Sequence, residues 1–182
     1  MKQPAPGDRG LVVLPTDDVT VRVDSWRRSY DANYGIVPPH ITVAYPPFVP
    51  EEEWPEVRAA IIECMSQFWP FEVRLRCLGA FSGDSYYLWL KPEDGGNLVR
   101  IHAELVTHFP RYVPPLPYKY QPHLTIGVFD SQQALRTARR AVRKELTPLE
   151  FVVKELVYLS PDSRGVSFVC SRVPLGAHAD RK

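Results

Sequence analysis

Pro39-His40-Ile41-Thr42-Val43 and Pro122-His123-Leu124-Thr125-Ile126 are near copies of each other, both reading Pro-His-aliphatic-Thr-aliphatic. Each lies in a run of β-branched and apolar residues, the usual composition of a strand. Strand side chains alternate between faces, so His40 and Thr42 point one way and Ile41 and Val43 the other. His123 and Thr125 stand in the same relation to Leu124 and Ile126. An imidazole beside a hydroxyl on the open face, with aliphatics behind, is half of a polar site. A single His-x-Thr in a strand is unremarkable. A second copy, with the same proline and the same alternation, predicts one site shared between two halves of the chain.

Outward from these strands, the chain is punctuated by proline. Its 182 residues include 19 prolines, and many cluster at 38–39, 46–47 and 110–122, where they predict stiff, non-helical loops around both motifs. Gly10 to Pro15 reads as a short apolar strand. Thr16 or Asp18 then caps a helix with Val19, Val23, Trp26 and Tyr30 at helical spacing, interrupted by Val21. Ile36 to Tyr45 is the first His-x-Thr strand. A helix over Glu51–Phe68 follows, with Trp54, Val57, Ile61, Cys64, Met65 and Phe68 inward and an acidic start suited to the helix dipole. Phe71 to Phe81 alternates, with Val73, Leu75 and Cys77 inward. The turn 82–85 leads into Tyr86–Lys91, which predicts an antiparallel hairpin.

Asn97 is expected to cap a helix running to about Phe109, with Leu98, Ile101, Leu105 and Phe109 inward. Asp130 and Gln133 suggest a capping box for a helix ending at Leu146, whose inner face is Leu135, Ala138, Val142 and Leu146. Phe151–Leu159 and Val166–Pro174 form a closing hairpin. This order is an α+β pattern with an internal duplication: one two-lobed domain over 10–176, between a flexible N-terminus (1–9) and a flexible tail (177–182).

Hydrophobic content of 45% and charged content of 24% suit one good core. A formal net charge of +1 gives no global basic field for non-specific nucleic-acid binding. The three cysteines, Cys64, Cys77 and Cys170, have no metal-ligand spacing and cannot all pair, so reduced and mostly buried thiols are expected. No apolar run has the length of a membrane span and no signal-peptide core opens the chain. A soluble, cytoplasmic monomer is therefore expected.

Two imidazoles facing one small volume suit acid–base attack on a phosphodiester: a neutral ring takes a proton from the attacking water and a protonated ring gives one to the leaving oxygen. Unperturbed histidine titrates near pH ~6.5, so both states are accessible near neutrality. A threonine two residues on can donate its hydroxyl to a non-bridging phosphate oxygen. The scheme needs no cofactor and no metal, and two histidines without carboxylate or thiolate companions make a poor zinc site.

Tyr34, Tyr45, Phe81, Tyr118 and Tyr120 lie in or near the motif-flanking loops. Tyr45, Phe81 and Tyr120 are the candidates for stacking on a base, against the plainer reading of aromatic filler. Lys119 can reach a phosphate or simply be a solvated loop lysine. Arg136, Arg139, Arg140, Arg143 and Lys144 form a basic helix face, either an RNA rail or a solvated surface. His102 and His108 sit on a helix without motif context and read as structural or exposed, while His178 falls in the tail.

Paired His-hydrophobic-Thr-hydrophobic motifs in the two halves of a chain of this size resemble the 2H phosphoesterase superfamily, which includes 2′-5′ RNA ligase-like proteins and cyclic phosphodiesterases. His40-Ile41-Thr42-Val43 and His123-Leu124-Thr125-Ile126 match its motif at every position, and the element order resembles it over about residues 8–176. The resemblance implies a bilobal fold, with two antiparallel sheets and flanking helices around a central cleft and one motif from each lobe. It also implies an activity from a known set: hydrolysis of 2′,3′-cyclic or ADP-ribose 1″,2″-cyclic phosphates, cleavage of 2′-5′ linkages, RNA 3′-end trimming, or 2′-5′ ligation. The expectation is a metal-independent phosphoesterase acting on a small nucleotide or RNA end, with His40 and His123 catalytic and Thr42 and Thr125 phosphate-binding. A nucleotide-binding module with little turnover and an RNA-end ligase or processing factor are the alternatives. Intact histidines count against the first, and the near-neutral charge counts against a long RNA substrate.

Overall fold

The computed structural model describes residues 9–176, and the expectations for 1–8 and for the tail 177–182, His178 included, lie outside the described residues. The elements run β1 (Gly10–Val13), α1 (Asp17–Tyr30), β2 (Ile41–Ala44), α2 (Trp54–Met65), β3 (Phe71–Ser82), β4 (Tyr86–Glu93), α3 (Asn97–His108), β5 (Leu124–Phe129), α4 (Gln132–Glu145), β6 (Leu149–Val153), β7 (Glu155–Pro161) and β8 (Ser167–Pro174). The α+β class and the duplication are present. The unit β1-α1-β2-α2 recurs as β4-α3-β5-α4.

The strands form one antiparallel sheet in the order β6-β3-β4-β5-β2-β1-β7-β8. The two expected sheets are its two four-stranded halves, and the strands that join them are β5 and β2, the two motif strands. That joint is narrow, with Ile41 opposite Leu124 as its single registered pair. Chain connectivity shows how far the sheet curls. β6 and β7 lie six strand positions apart, roughly 29 Å in a flat sheet at about 4.8 Å per strand. Lys154 alone links Val153 to Glu155, a reach of at most about 7 Å. The two halves must therefore bend until those strand ends meet.

Alternation sorts the sheet's two faces. Leu11, Val13, Ile41, Val43, Leu88, Leu90, Leu124, Ile126, Leu156 and Tyr158 belong to the main core, together with Val19, Val23 and Trp26 of α1, Leu98, Ile101 and Leu105 of α3, and Leu135, Ala138 and Val142 of α4. Val21, the residue out of step in α1, is 71% exposed. The helices cross between lobes. α1, which leaves β1, packs against β5, and α3, which leaves β4, packs against β2. Gly127 permits the first contact, because a Cβ there would lie 2.6 Å from both Cβ and O of Tyr30 at the end of α1. The opposite face carries the polar halves of both motifs.

Several local expectations need correcting. The first motif strand begins at Ile41, not Ile36, because residues 32–37 form turns held by backbone bonds and by the side chains of Arg27 and Asp31, and Pro38 and Pro39 supply no N–H for a ladder. The closing strand is broken at Lys154 into β6 and β7, which lie in different halves, so only β7 and β8 form the final hairpin. A bulge between Leu75 and Cys77 reverses the alternation of β3 and turns Cys77 outward. Cys170 is also exposed and Cys64 half-buried, so the thiols are free as expected but not mostly buried. Asn97 is the first residue of α3 and Gly96 its N-cap, and the helix N-terminus is satisfied by Asp94, whose carboxylate accepts from Leu98 N and Gly96 N. Ser131, not Asp130, caps α4, its Oγ accepting from Ala134 N.

Candidate active site

The register that joins the halves also assembles the polar residues. Carrying the Ile41–Leu124 pair one residue each way sets His40 across from Thr125 and Thr42 across from His123. Opposed residues in an antiparallel pair lie about 4.5–5.5 Å apart at Cα and share a face, so the four side chains make a compact two-by-two grid. Burial repeats the same way in both motifs: half-buried His, buried aliphatic, half-buried Thr, buried aliphatic.

Each imidazole is oriented by its own loop. His40 Nδ1 donates to Pro38 O at 2.8 Å, and His123 Nδ1 donates to Gln121 O at 2.8 Å. A carbonyl only accepts, so each Nδ1 carries a proton and each Nε2 remains for chemistry. Burial lowers the pKa of both rings, against the opposing effect of these carbonyl bonds. His40 is lowered further by the charges of Arg27 and His123, with Asp31 acting the other way. The sequence expectation of near-ordinary titration is thus replaced by two rings biased to the neutral state.

The surroundings of the two rings differ. Behind His40, buried Arg27 donates to Asp31 Oδ2 and Asp24 Oδ1, each at 2.9 Å, and to Val37 O at 2.7 Å, fixing the turn that presents Pro38. Beside His123 stands an aromatic wall. Trp89 pairs with Thr125 across β4 and β5 and so shares the face of the grid. Its ring lies 5.9 Å from that of His123 and 4.8 Å from that of Phe81, and Phe81 meets His123 edge-on at 5.0 Å. Trp89 can lie flat there because Gly79 opposite it has no side chain; a Cβ would fall 2.2 Å from the indole. Sequence reasoning found Phe81 but missed Trp89, Gly79 and Arg27. The usable signal was the alternation of 86–91, which puts Trp89 on the face opposite Leu88 and Leu90. On the far side of the grid, Val12, Val157 and Leu159 form a small apolar cluster with Leu14.

Tyr120 is not a free stacking platform. It is 7% exposed, one face lies on His102 at 3.9 Å, and its hydroxyl donates to Thr42 O at 2.7 Å. His102 Nδ1 donates to Val43 O at 2.8 Å, the structural role expected of it. These two side chains bind carbonyls of β2 just past its single pair with β5. Tyr45 is half-buried, edge-on to Tyr120 at 6.3 Å, with its hydroxyl pKa pushed up to about 12 by burial. Tyr34, Tyr118 and Lys119 are exposed. Arg136, Arg139, Arg140, Arg143 and Lys144 are exposed on α4, which packs on the face of the sheet away from the grid.

The sequence profile of the 2′-5′ RNA ligase superfamily matches residues 15–165. A Geobacillus kaustophilus protein with a provisional phosphoesterase name is 28% identical over 118 residues, 65% of this chain and 67% of its own length. Among solved structures, TT0787 of Thermus thermophilus aligns with TM-score 0.67 at 20% identity, covering 94% of this chain and 99% of that one. Escherichia coli LigT complexed with 3′-AMP aligns at 0.63 and 15% identity, over 94% and 99% of the two chains. Kluyveromyces marxianus Usb1 aligns at 0.55 and 18%, over 93% and 97%. These likenesses share the fold that carries the two motif strands, and with the profile match they show that the chain belongs to the 2′-5′ RNA ligase superfamily of 2H phosphoesterases.

Proposed function

We propose that the grid cleaves a 2′,3′-cyclic phosphate or a 2′-5′ phosphodiester in a small nucleotide or RNA end, by two-histidine acid–base catalysis without a metal in the reaction. The supporting observation is that both Nδ1 atoms are tied to carbonyls, which leaves both Nε2 atoms unengaged on strands whose Ile41–Leu124 pairing puts the two histidines and two threonines on one face. The substrate class is supported by the relatives: LigT has been crystallised with 3′-AMP, and the profile is that of 2′-5′ RNA ligases.

Thr42 and Thr125 donate to the non-bridging oxygens. His40, disfavoured as a cation by its burial and then by Arg27 behind it, is the base. Its Nε2 takes a proton from water, the water oxygen bonds to phosphorus, and the bond to the leaving oxygen breaks. His123 is the acid, and its Nε2–H passes to that oxygen. A bound phosphate anion supplies the charge that favours protonation of His123 despite its burial. Trp89 and Phe81 fix the ring of His123 and shield it from water. The reverse reaction exchanges the two roles.

The test is a turnover screen over 2′,3′-cyclic mononucleotides, 2′-5′ dinucleotides, ADP-ribose 1″,2″-cyclic phosphate and tailed RNA ends, with EDTA present. Turnover of at least one substrate that is lost in both His40→Ala and His123→Ala is expected. Nucleotide binding without turnover across the set would turn the reading to a binding module, and activity abolished by EDTA would refute the chemistry.

A further inference from the structure

On the helix face of the sheet, away from the grid, α2 and α3 bring three donors of different chemistry together. Glu104 and His108 are one turn apart on α3, with His108 Nε2 3.1 Å from Glu104 Oε2. Cys64, near the end of α2, faces them, and the thiol, carboxylate and imidazole ligand atoms all lie within 4.8 Å of one another. We propose that Cys64, Glu104 and His108 form a binding site for a borderline divalent transition ion of the zinc type, clamping α2 to α3.

Geometry supports the assignment. Tetrahedral zinc with bonds of about 2.0–2.3 Å sets oxygen, nitrogen and sulfur ligand atoms about 3.3–3.6 Å apart. The existing spacings therefore need only side-chain adjustments of roughly an ångström or less. The backbones beneath are already held, because Ile61 and Met65 of α2 and Leu98, Ile101 and Leu105 of α3 are buried in the main core. The His108 side chain is 54% exposed, which leaves the fourth position open to water.

The donor set also selects the ion. One carboxylate with a thiol and an imidazole is a poor cage for calcium or magnesium, which take oxygen ligands, and a good one for zinc or cobalt. Charge closes as well. On binding, Cys64 releases its proton to solvent, and a thiolate, a carboxylate and a neutral imidazole around a divalent ion sum to zero. Cysteine spacing alone could not reveal this cluster, since two of its three members come from another helix.

The clamp has a structural consequence. α3 carries His102, which holds the Val43 carbonyl, so fixing α3 steadies β2 from behind. Its expected effect is on stability and not on the chemical step.

The experiment uses the intact protein freed of metal by chelation and titrated with Co²⁺. A thiolate-to-cobalt charge-transfer band with the visible spectrum of a tetrahedral ion, saturating at one equivalent, is expected. Cys64→Ser should abolish the band, and His108→Ala and Glu104→Gln should each weaken binding by more than about tenfold. Cys77→Ser and Cys170→Ser should leave it unchanged. Zn²⁺ should raise Tm in the wild type but not in Cys64→Ser. Absence of the band in the wild type, or its persistence in a folded Cys64→Ser, would overturn the proposal.

Discussion

Gly79→Ala places a methyl group where the indole of Trp89 now lies, 2.2–2.5 Å from three of its ring atoms, against an ordinary contact of 3.4–4 Å. The ring has to retreat by more than about 1 Å. It is 6% exposed and packed against both Phe81 and His123, so there is little free space to accept it. Overpacking of this kind costs about 1–3 kcal/mol. At about 2 kcal/mol, a chain of this size should lose roughly 4–8 °C in Tm. Because the indole is the wall of His123, a displacement of this size should also lower kcat by up to ~10²-fold. Calorimetry gives the first quantity, and the His123 ring resonances report the displacement even without a substrate. Trimming the obstacle separates the cause: in a Trp89→Leu background, adding Gly79→Ala should cost little, leaving a coupling of about 1–2 kcal/mol. Strictly additive losses, or a Gly79→Ala protein with wild-type Tm and unmoved His123 signals, would refute this account of the wall.

Four further outcomes follow from the same geometry. Tyr120→Phe keeps the stack on His102 but strands the Thr42 carbonyl, so it should lose about 1–2 kcal/mol in denaturant unfolding and some turnover, with binding little changed. His40→Ala and His123→Ala should each lower kcat/KM by about 10²–10⁴-fold, and the double variant by far less than their product, since the rings act as a unit. Thr42→Ala and Thr125→Ala should each lower kcat by up to about 10²–10³-fold, read in the same assay. The pKa values of His40, His102 and His123 all lie below that of an unfolded histidine, so the unfolded chain binds more protons below pH ~6.5. Stability should therefore be flat above that pH and fall as pH drops toward the folded-state values, and phosphate binding near pH 7 should take up a proton, seen as buffer-dependent binding heats.

The residues of the candidate site were legible because they obey short-range rules twice. Period-two alternation and a preceding proline are visible in five residues, and the second copy removes the ambiguity of the first. The helices were legible for the same reason: Val19, Val23 and Trp26, or Leu135, Ala138 and Val142, keep helical spacing and are buried accordingly. What sequence could not supply depends on partners distant in the chain. The bulge that turns Cys77 outward is a property of the β3–β4 register, and nothing in Phe71–Phe81 announces it. The break at Lys154 exists because the curled sheet brings the edge strand β6 of one half close to β7 of the other. Tyr120 reads as a loop aromatic until α3 covers one face and Thr42 takes its hydroxyl. Arg27 reads as a helix surface residue, yet it is 3% exposed because Asp24, Asp31 and the carbonyl of Val37 together satisfy its guanidinium.

The X-Pro-His order is the smallest unit that explains how one motif works. A residue before proline is confined to extended conformations, and proline fixes its own φ, so the carbonyl two residues before each histidine is presented in a narrow range of directions. That carbonyl is the acceptor used by Nδ1 in both loops. Each pentapeptide, with the residue ahead of it, therefore carries an imidazole, the acceptor that sets its tautomer, and a threonine hydroxyl on the same face. Pairing two such units about Ile41 and Leu124 produces a nearly symmetric site, which by itself gives neither ring a distinct role. The distinction comes from what the duplication did not copy: a buried guanidinium behind His40, and an indole and a phenyl ring beside His123. Burial first, and the cation after it, hold His40 toward the neutral state, while the aromatic wall carries no charge that would oppose protonation of His123 by an arriving phosphate. Replacing Arg27 with Met should thus raise the pKa of His40 in an NMR titration, and an unchanged His40 titration in that folded variant would remove the basis for assigning it as the base.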